Sequence, residues 1–148
     1  MAFDEAFHHE VELVLRIGVE VPLGSAGAWD QVDGIALGLD LTRREVQQQC
    51  KTAGLPWVPA KSFAGSAVLG PFVPRGAVGD PASLAFSLDV NGERRQDGVI
   101  TDMVFPVPAI LTYLASLAPL EVGDLVFTGT PEGVGPIRRG AAFAMHLR

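Results

Sequence analysis

His9-Glu10-Val11-Glu12-Leu13-Val14-Leu15-Arg16-Ile17 is the stretch from which the rest of the chain is read. Side chains alternate across a β-strand with a period of two, so Val11, Leu13, Leu15 and Ile17 share one face. Glu10 and Glu12 share the other, beside Val14 and Arg16. Two carboxylates held side by side repel unless a proton or a cation relieves them. A hard divalent metal is one such cation, and it prefers oxygen ligands. The same pattern also suits the wet face of a half-buried strand that binds nothing, so the pair takes its meaning from residues farther along the chain.

At 148 residues the chain fits one domain with a real hydrophobic core. It is 48% hydrophobic and 19% charged, a globular rather than a disordered composition. The net charge of -6 and pI near 4.9 disfavour nucleic acid or an anionic membrane as partner, since both call for basic patches. A small anionic substrate is compatible, because a few local cations serve it. The single cysteine, Cys50, excludes an internal disulfide framework and a cysteine-based zinc site. A reducing, cytoplasmic setting is the default. No apolar run approaches about 18 residues, so no transmembrane helix is expected. The opening Met1-Ala2-Phe3-Asp4-Glu5 is acidic and lacks a signal-peptide pattern.

Further along, residues 34–40 read as a second strand that ends on an acid, Asp40. Thr42 and Glu45 have the spacing of a capping box, and the helix behind them covers roughly 43–53. Gly54 suits its C-terminal cap, with Pro56 just beyond. Residues 67–74 read as a short strand broken by prolines. Leu84, Phe86, Leu88 and Val90 alternate, and Asn91-Gly92 predicts a type I′ hairpin turn into a polar return strand from Glu93. Residues 106–117 read as a helix with Ile110, Leu111, Leu114 and Leu117 on one face. Gly123-Asp124 turns into a strand over 125–128, and a last strand covers 141–147. Strands dominate and hairpins rather than βαβ units connect them, so the expected class is α+β, mainly β.

Four groupings could carry chemistry. Asp40, where a strand gives way to a helix, is either a turn or capping aspartate or a third carboxylate beside Glu10 and Glu12. The three together suit Mg²⁺, Mn²⁺ or Ca²⁺ and leave coordination positions free. Arg44 and Gln47 lie three apart and share a helical face, either a solvated one or one turned to the site. Lys61, in the apolar stretch Pro56-Trp57-Val58-Pro59-Ala60-Lys61-Ser62-Phe63, either snorkels to the surface or meets a negative partner. Thr128-Gly129-Thr130-Pro131-Glu132-Gly133-Val134-Gly135-Pro136 comes directly after a strand. Such glycine-rich turns present N–H groups that can hold an anion, or serve only as a tight loop. It is neither a P-loop nor a dinucleotide fingerprint.

These segments, in order and spacing, resemble the catalytic domain of the fumarylacetoacetate hydrolase family. The matching motifs are His9-Glu10-Val11-Glu12-Leu13, then Leu39-Asp40-Leu41-Thr42-Arg43-Arg44-Glu45-Val46-Gln47, then Pro56-Trp57 with Lys61-Ser62-Phe63. Gly70-Pro71, Val90-Asn91-Gly92-Glu93 and the run from Gly123-Asp124 to Gly135 complete the set. The small bacterial acylpyruvase-like members are the most similar. The resemblance implies a mixed β-roll or sandwich with a few short helices, a homodimer, and a divalent metal, Mg²⁺ or Mn²⁺. It implies Glu10, Glu12 and Asp40 as metal ligands, with Arg44, Gln47, Lys61 and Thr130 facing the substrate.

The implied activity is hydrolysis of a C–C bond in a diketo or 2-oxo acid of fumarylacetoacetate or acylpyruvate type, through a metal-stabilised enolate. An oxaloacetate-type decarboxylase or isomerase uses the same enolate. Family members usually carry a substantial segment ahead of the Glu-x-Glu strand, which in several supplies a lid with a histidine or glutamate as general base. This chain starts nine residues before Glu10. The expectation is therefore one domain over residues 1–148 without that lid, with His8 and His9 structural rather than the base. A non-catalytic, metal-binding remnant is the other class.

Overall fold

The computed structural model describes residues 7–148, so the reading of the acidic start at Met1 to Glu5 falls outside the described residues. In chain order come β1 (Phe7–His9), β2 (Val11–Ile17), β3 (Val32–Asp40), β4 (Thr42–Arg43), α1 (Arg44–Ala53) and α2 (Val58–Lys61). After them come β5 (Ala67–Leu69), β6 (Val73–Pro74), β7 (Ala85–Val90), β8 (Glu93–Val99), α3 (Val107–Leu117), β9 (Leu125–Phe127), β10 (Gly135–Pro136) and β11 (Phe143–Leu147). The mainly-β, α+β class expected from the sequence is what forms.

The opening stretch folds as two strands rather than one, and Glu10 lies in the break between them. The chain changes sheets there. β1 pairs with β4 and β10, whereas β2 pairs with β3 and β9. β5 and β6 share the far edge of β3, and a separate sheet runs in the order β11-β7-β8.

Val11, Leu13, Leu15 and Ile17 are fully buried, as their alternation predicts. They pack with Leu37 and Leu39 of β3, Phe86 and Leu88 of β7, and the buried line of α3, so one core lies between the two larger sheets and the helix. The second face of β2 is not wet: Val14 is fully buried and Glu12 is 4% exposed. A glutamate in that position needs partners, since an unpaired buried charge is strongly unfavourable.

The α1 helix ends at Gly54, whose φ of 65° is the left-handed conformation that glycine adopts without a Cβ penalty. Its start corrects the sequence reading. The Thr42 hydroxyl makes no capping box but accepts a hydrogen bond from Lys61 at 2.7 Å. Asn91 and Gly92 both take positive φ, 53° and 80°, as a type I′ turn requires. In α3 the buried line is Val107, Leu111 and Ala115, with Ile110 and Leu114 packed beside it. Leu117, expected on that face, is 66% exposed. Six residues past Leu111, it has turned about 120° away from the buried line.

Candidate metal centre

Strand pairing brings the carboxylates together. β2 and β3 run antiparallel with Val11 opposite Leu39 and Glu12 opposite Gly38. Asp40 therefore ends β3 beside Glu10, and its N–H donates to the Glu10 carbonyl at 2.9 Å. Glu10, Glu12 and Asp40 each offer an oxygen within 4.8 Å of the other two. Glu10 and Glu12 are buried, and Asp40 is half-buried.

Two cations approach this cluster from helices. Arg44, the first residue of α1, donates from Nη2 to Glu10 Oε1 at 2.5 Å and from Nη1 to Gln47 Oε1 at 2.6 Å. Gln47, 4% exposed, thus holds the guanidinium in place from one helical turn away. Lys61 closes α2, a one-turn helix absent from the sequence reading. Its ammonium donates to Glu10 Oε2 at 2.6 Å, Asp40 Oδ2 at 2.6 Å and Thr42 Oγ1 at 2.7 Å. An ammonium has three N–H donors, and all three are used here. The Thr42 hydroxyl donates its own proton to the Asp40 carbonyl at 3.3 Å.

The electrostatics divide the two glutamates. Burial pulls the Glu10 carboxyl upward, but the Lys61 and Arg44 cations outweigh it and hold the group below its usual value. Burial likewise pulls Lys61 down, and its ion pairs with Asp40 and Glu10 outweigh that, leaving it raised. Glu12 is different. Its Oε2 accepts the Gly129 N–H at 2.7 Å. Burial raises its carboxyl, the Gly129 bond opposes the rise, and the like charges of Asp40 and Glu10 add to it, reaching about 7.

The glycine-rich loop runs back along β2 residue by residue. The Thr128 hydroxyl donates to the Leu13 carbonyl at 2.9 Å, Gly129 holds Glu12, and the Thr130 hydroxyl donates to the Val11 carbonyl at 2.8 Å. Gly133 has φ +96°, and a Cβ there would overlap the Arg95 carbonyl oxygen, so the loop lies directly against β8. Gly129 and Thr130 also line a cleft of about 420 Å³, together with Met103, Phe105 and Ile110.

Glu10, Glu12, Asp40, Arg44, Gln47 and Lys61 therefore converge. Thr130 reaches the same region, but its proton is directed at β2. Sequence reasoning missed Gln96 and left His9 without a partner. Gln96, 1% exposed, accepts from the His9 ring Nδ1 and the Val11 N–H, each at 3.0 Å. Its Nε2 donates to Thr130 Oγ1 at 2.8 Å and the Pro131 carbonyl at 2.9 Å. The donor set fits a hard divalent cation: three carboxylate oxygens lie within 4.8 Å of one another, and an ammonium already bridges two of the carboxylates.

The chain is similar to known proteins over most of its length. The family model described as fumarylacetoacetate (FAA) hydrolase C-terminal matches residues 2–147. The chain is 47% identical over 138 residues to oxaloacetate tautomerase FAHD1, mitochondrial, of Mus musculus, covering 93% of this chain and 62% of that protein. It thus spans under two thirds of that relative's length. The crystal structure of fumarylpyruvate hydrolase from Pseudomonas aeruginosa in complex with Mn²⁺ and pyruvate superposes with a TM-score of 0.89 at 41% identity, over 99% of this chain and 64% of that one. A yeast fumarylacetoacetate hydrolase family protein gives a TM-score of 0.89 at 33% identity, over 97% and 63%. Matched by that family model over nearly its whole length, the chain belongs to the fumarylacetoacetate hydrolase family.

Proposed function

We propose that this chain carries the catalytic centre of a divalent-metal enzyme that forms the enolate of a small 2-oxo or 1,3-diketo acid. The observation that carries this reading is the convergence of Glu10, Glu12 and Asp40 with Arg44 and Lys61 beside them. Glu10, Glu12 and Asp40 would hold Mg²⁺ or Mn²⁺. Once bound, the cation supplies Lewis acidity to a carbonyl oxygen of the substrate.

The remaining work falls to the chain's own side chains. Arg44, braced by Gln47, and Lys61 offset the negative charge that a carboxylate substrate brings to a site already rich in carboxylates. Each N–H of Lys61 already has an acceptor, so an incoming oxyanion competes with Asp40 and Thr42 for this ammonium. Gly129 fixes one oxygen of Glu12 and leaves the other free to act as a ligand. Thr130, expected to face the substrate, lines the adjoining cleft while its hydroxyl proton goes to Val11.

Two reactions draw on this enolate. Keto–enol tautomerisation of oxaloacetate is favoured by the 47% identity to the mouse tautomerase. Hydrolysis of a diketo acid is favoured by the 41% identity to the hydrolase bound to Mn²⁺ and pyruvate. In that reaction water adds to the distal carbonyl, the C–C bond breaks, and the enolate of pyruvate leaves and takes a proton.

The test is an ultraviolet assay of the Mn²⁺-loaded protein with enol-oxaloacetate and with an acylpyruvate. Acceleration of at least one, abolished by a chelator, is expected. No acceleration of either, with Mn²⁺ shown to be bound, overturns the enzyme reading and leaves a metal-binding domain.

A further inference from the structure

The Val11 peptide joins the two glutamates that would hold the metal, and its surroundings are unusual for a strand. Along β2, Glu10 turns its carbonyl toward β3, where the Asp40 N–H meets it. Val11 therefore turns its own N–H and C=O to the opposite side, the side of β9. But β9 pairs only with Val14, Leu15 and Arg16. Thr128 reaches back as far as Leu13. At Val11 no strand remains to satisfy the backbone.

Two side chains take the place of that strand. The Val11 N–H donates to Gln96 Oε1 at 3.0 Å, and the Val11 C=O accepts from Thr130 Oγ1 at 2.8 Å. The direction of every bond is fixed. A backbone N–H can only donate, so Gln96 presents its oxygen to Val11 and its nitrogen to Thr130 and Pro131. Thr130 accepts from that nitrogen and donates its own proton to Val11. The His9 Nδ1, sharing the same Gln96 oxygen, is then the protonated ring nitrogen. The carboxamide uses both donors and accepts twice, on a side chain 1% exposed.

We propose that Gln96 is a positioning residue for the metal centre. Its carboxamide and the Thr130 hydroxyl clasp the Val11 peptide from both ends and so set the separation of the Glu10 and Glu12 carboxylates. The inference rests on the metal reading given above. It adds that the geometry of the ligands is imposed from β8 and the glycine-rich loop, not by the pairing of β2 with β3 alone. Gln96 itself touches neither metal nor substrate.

The test compares wild-type, Gln96→Met, Thr130→Val and the double variant. Thermal unfolding checks the fold, and titration with Mn²⁺ monitored by electron paramagnetic resonance gives affinity and line shape. Gln96→Met keeps the length and apolar bulk of the side chain while deleting all four hydrogen bonds. It is expected to weaken Mn²⁺ binding at least tenfold and to change the line shape. The double variant is expected to lose no more than the worse single variant, because both remove the same clasp.

Unchanged affinity and line shape in a folded Gln96→Met overturn the inference while the metal reading stands, and so do losses that simply add. If Gln96→Met does not fold, Thr130→Val alone decides by the same criteria. A wild-type protein that binds no Mn²⁺ overturns the metal reading and this inference with it.

Discussion

Lys61 places one ammonium where two carboxylates and a hydroxyl meet. A cation there repels a metal ion held by the same carboxylates and attracts an anionic substrate. Lys61→Met is therefore expected to bind Mn²⁺ no more weakly than wild type, while turnover of an oxo acid falls by about 100-fold or more. Calorimetry and steady-state kinetics on one preparation check both halves, and weaker Mn²⁺ binding would make Lys61 a brace rather than a substrate contact. At this scale much is legible in the sequence. Glu10, Glu12, Asp40 and Lys61 are charged groups at places where alternation or an apolar neighbourhood makes a charge conspicuous, whereas Arg44 lies in a largely polar run, Arg43 to Gln49, that reads equally as a solvated face. Thr42 misleads because its Thr-x-x-Glu spacing is a purely local signal. The partner that captures its hydroxyl lies 19 residues away, and no local pattern announces it.

The β7–β8 hairpin shows why other parts are hidden at the scale of elements. Counting outward from the Asn91-Gly92 turn pairs Asp89 with Arg94, and the next step would set Arg95 opposite Leu88. A register shift between Leu88 and Asp89 instead pairs Leu88 with Gln96. That single irregularity turns Gln96 inward, and the sequence carries no mark of it. The Gly133 loop depends on the same strand. Gly133→Ala adds a Cβ against the Arg95 carbonyl at a φ that disfavours it. It is expected to cost on the order of 1–3 kcal/mol in chemical denaturation and to weaken Mn²⁺ binding as the loop shifts; an unperturbed midpoint would refute the close contact. Asp89 of β7 accepts from Arg94 of β8 within the hairpin and meets His146 of β11. Arg94 above all, with His146 adding and partial desolvation opposing, holds the Asp89 carboxyl below its usual value. A lowered folded-state value means stability present above the unfolded value near ~3.9 and lost as pH falls through the folded one. Melting curves of wild type and Asp89→Asn should differ at neutral pH, begin to approach each other as the pH falls below about 4, and converge only below the lowered folded-state value. A gap that stays constant with pH would show that the carboxylate contributes no ionic stabilisation.

For the whole molecule, strands of two sheets and α3 contribute to one core, and the cluster of Glu10, Glu12 and Asp40 lies where the chain passes from one sheet to another at Glu10. The mainly-β class is readable from strand alternation and hairpin turns, because those signals are local and repeated. The switch of partners at Glu10 is not, since both halves of the stretch look extended. Among the described residues no helix is long and apolar enough to cross a membrane. The central claim is that Glu10, Glu12 and Asp40 form one divalent-cation site. Calorimetric titration of wild type and Asp40→Ala with Mn²⁺, with circular dichroism confirming that both are folded, tests it most directly. The account predicts one Mn²⁺ per wild-type chain and binding weakened by at least about 100-fold in Asp40→Ala, equivalent to roughly 2.7 kcal/mol. Equal Mn²⁺ affinity in the two folded proteins would contradict it.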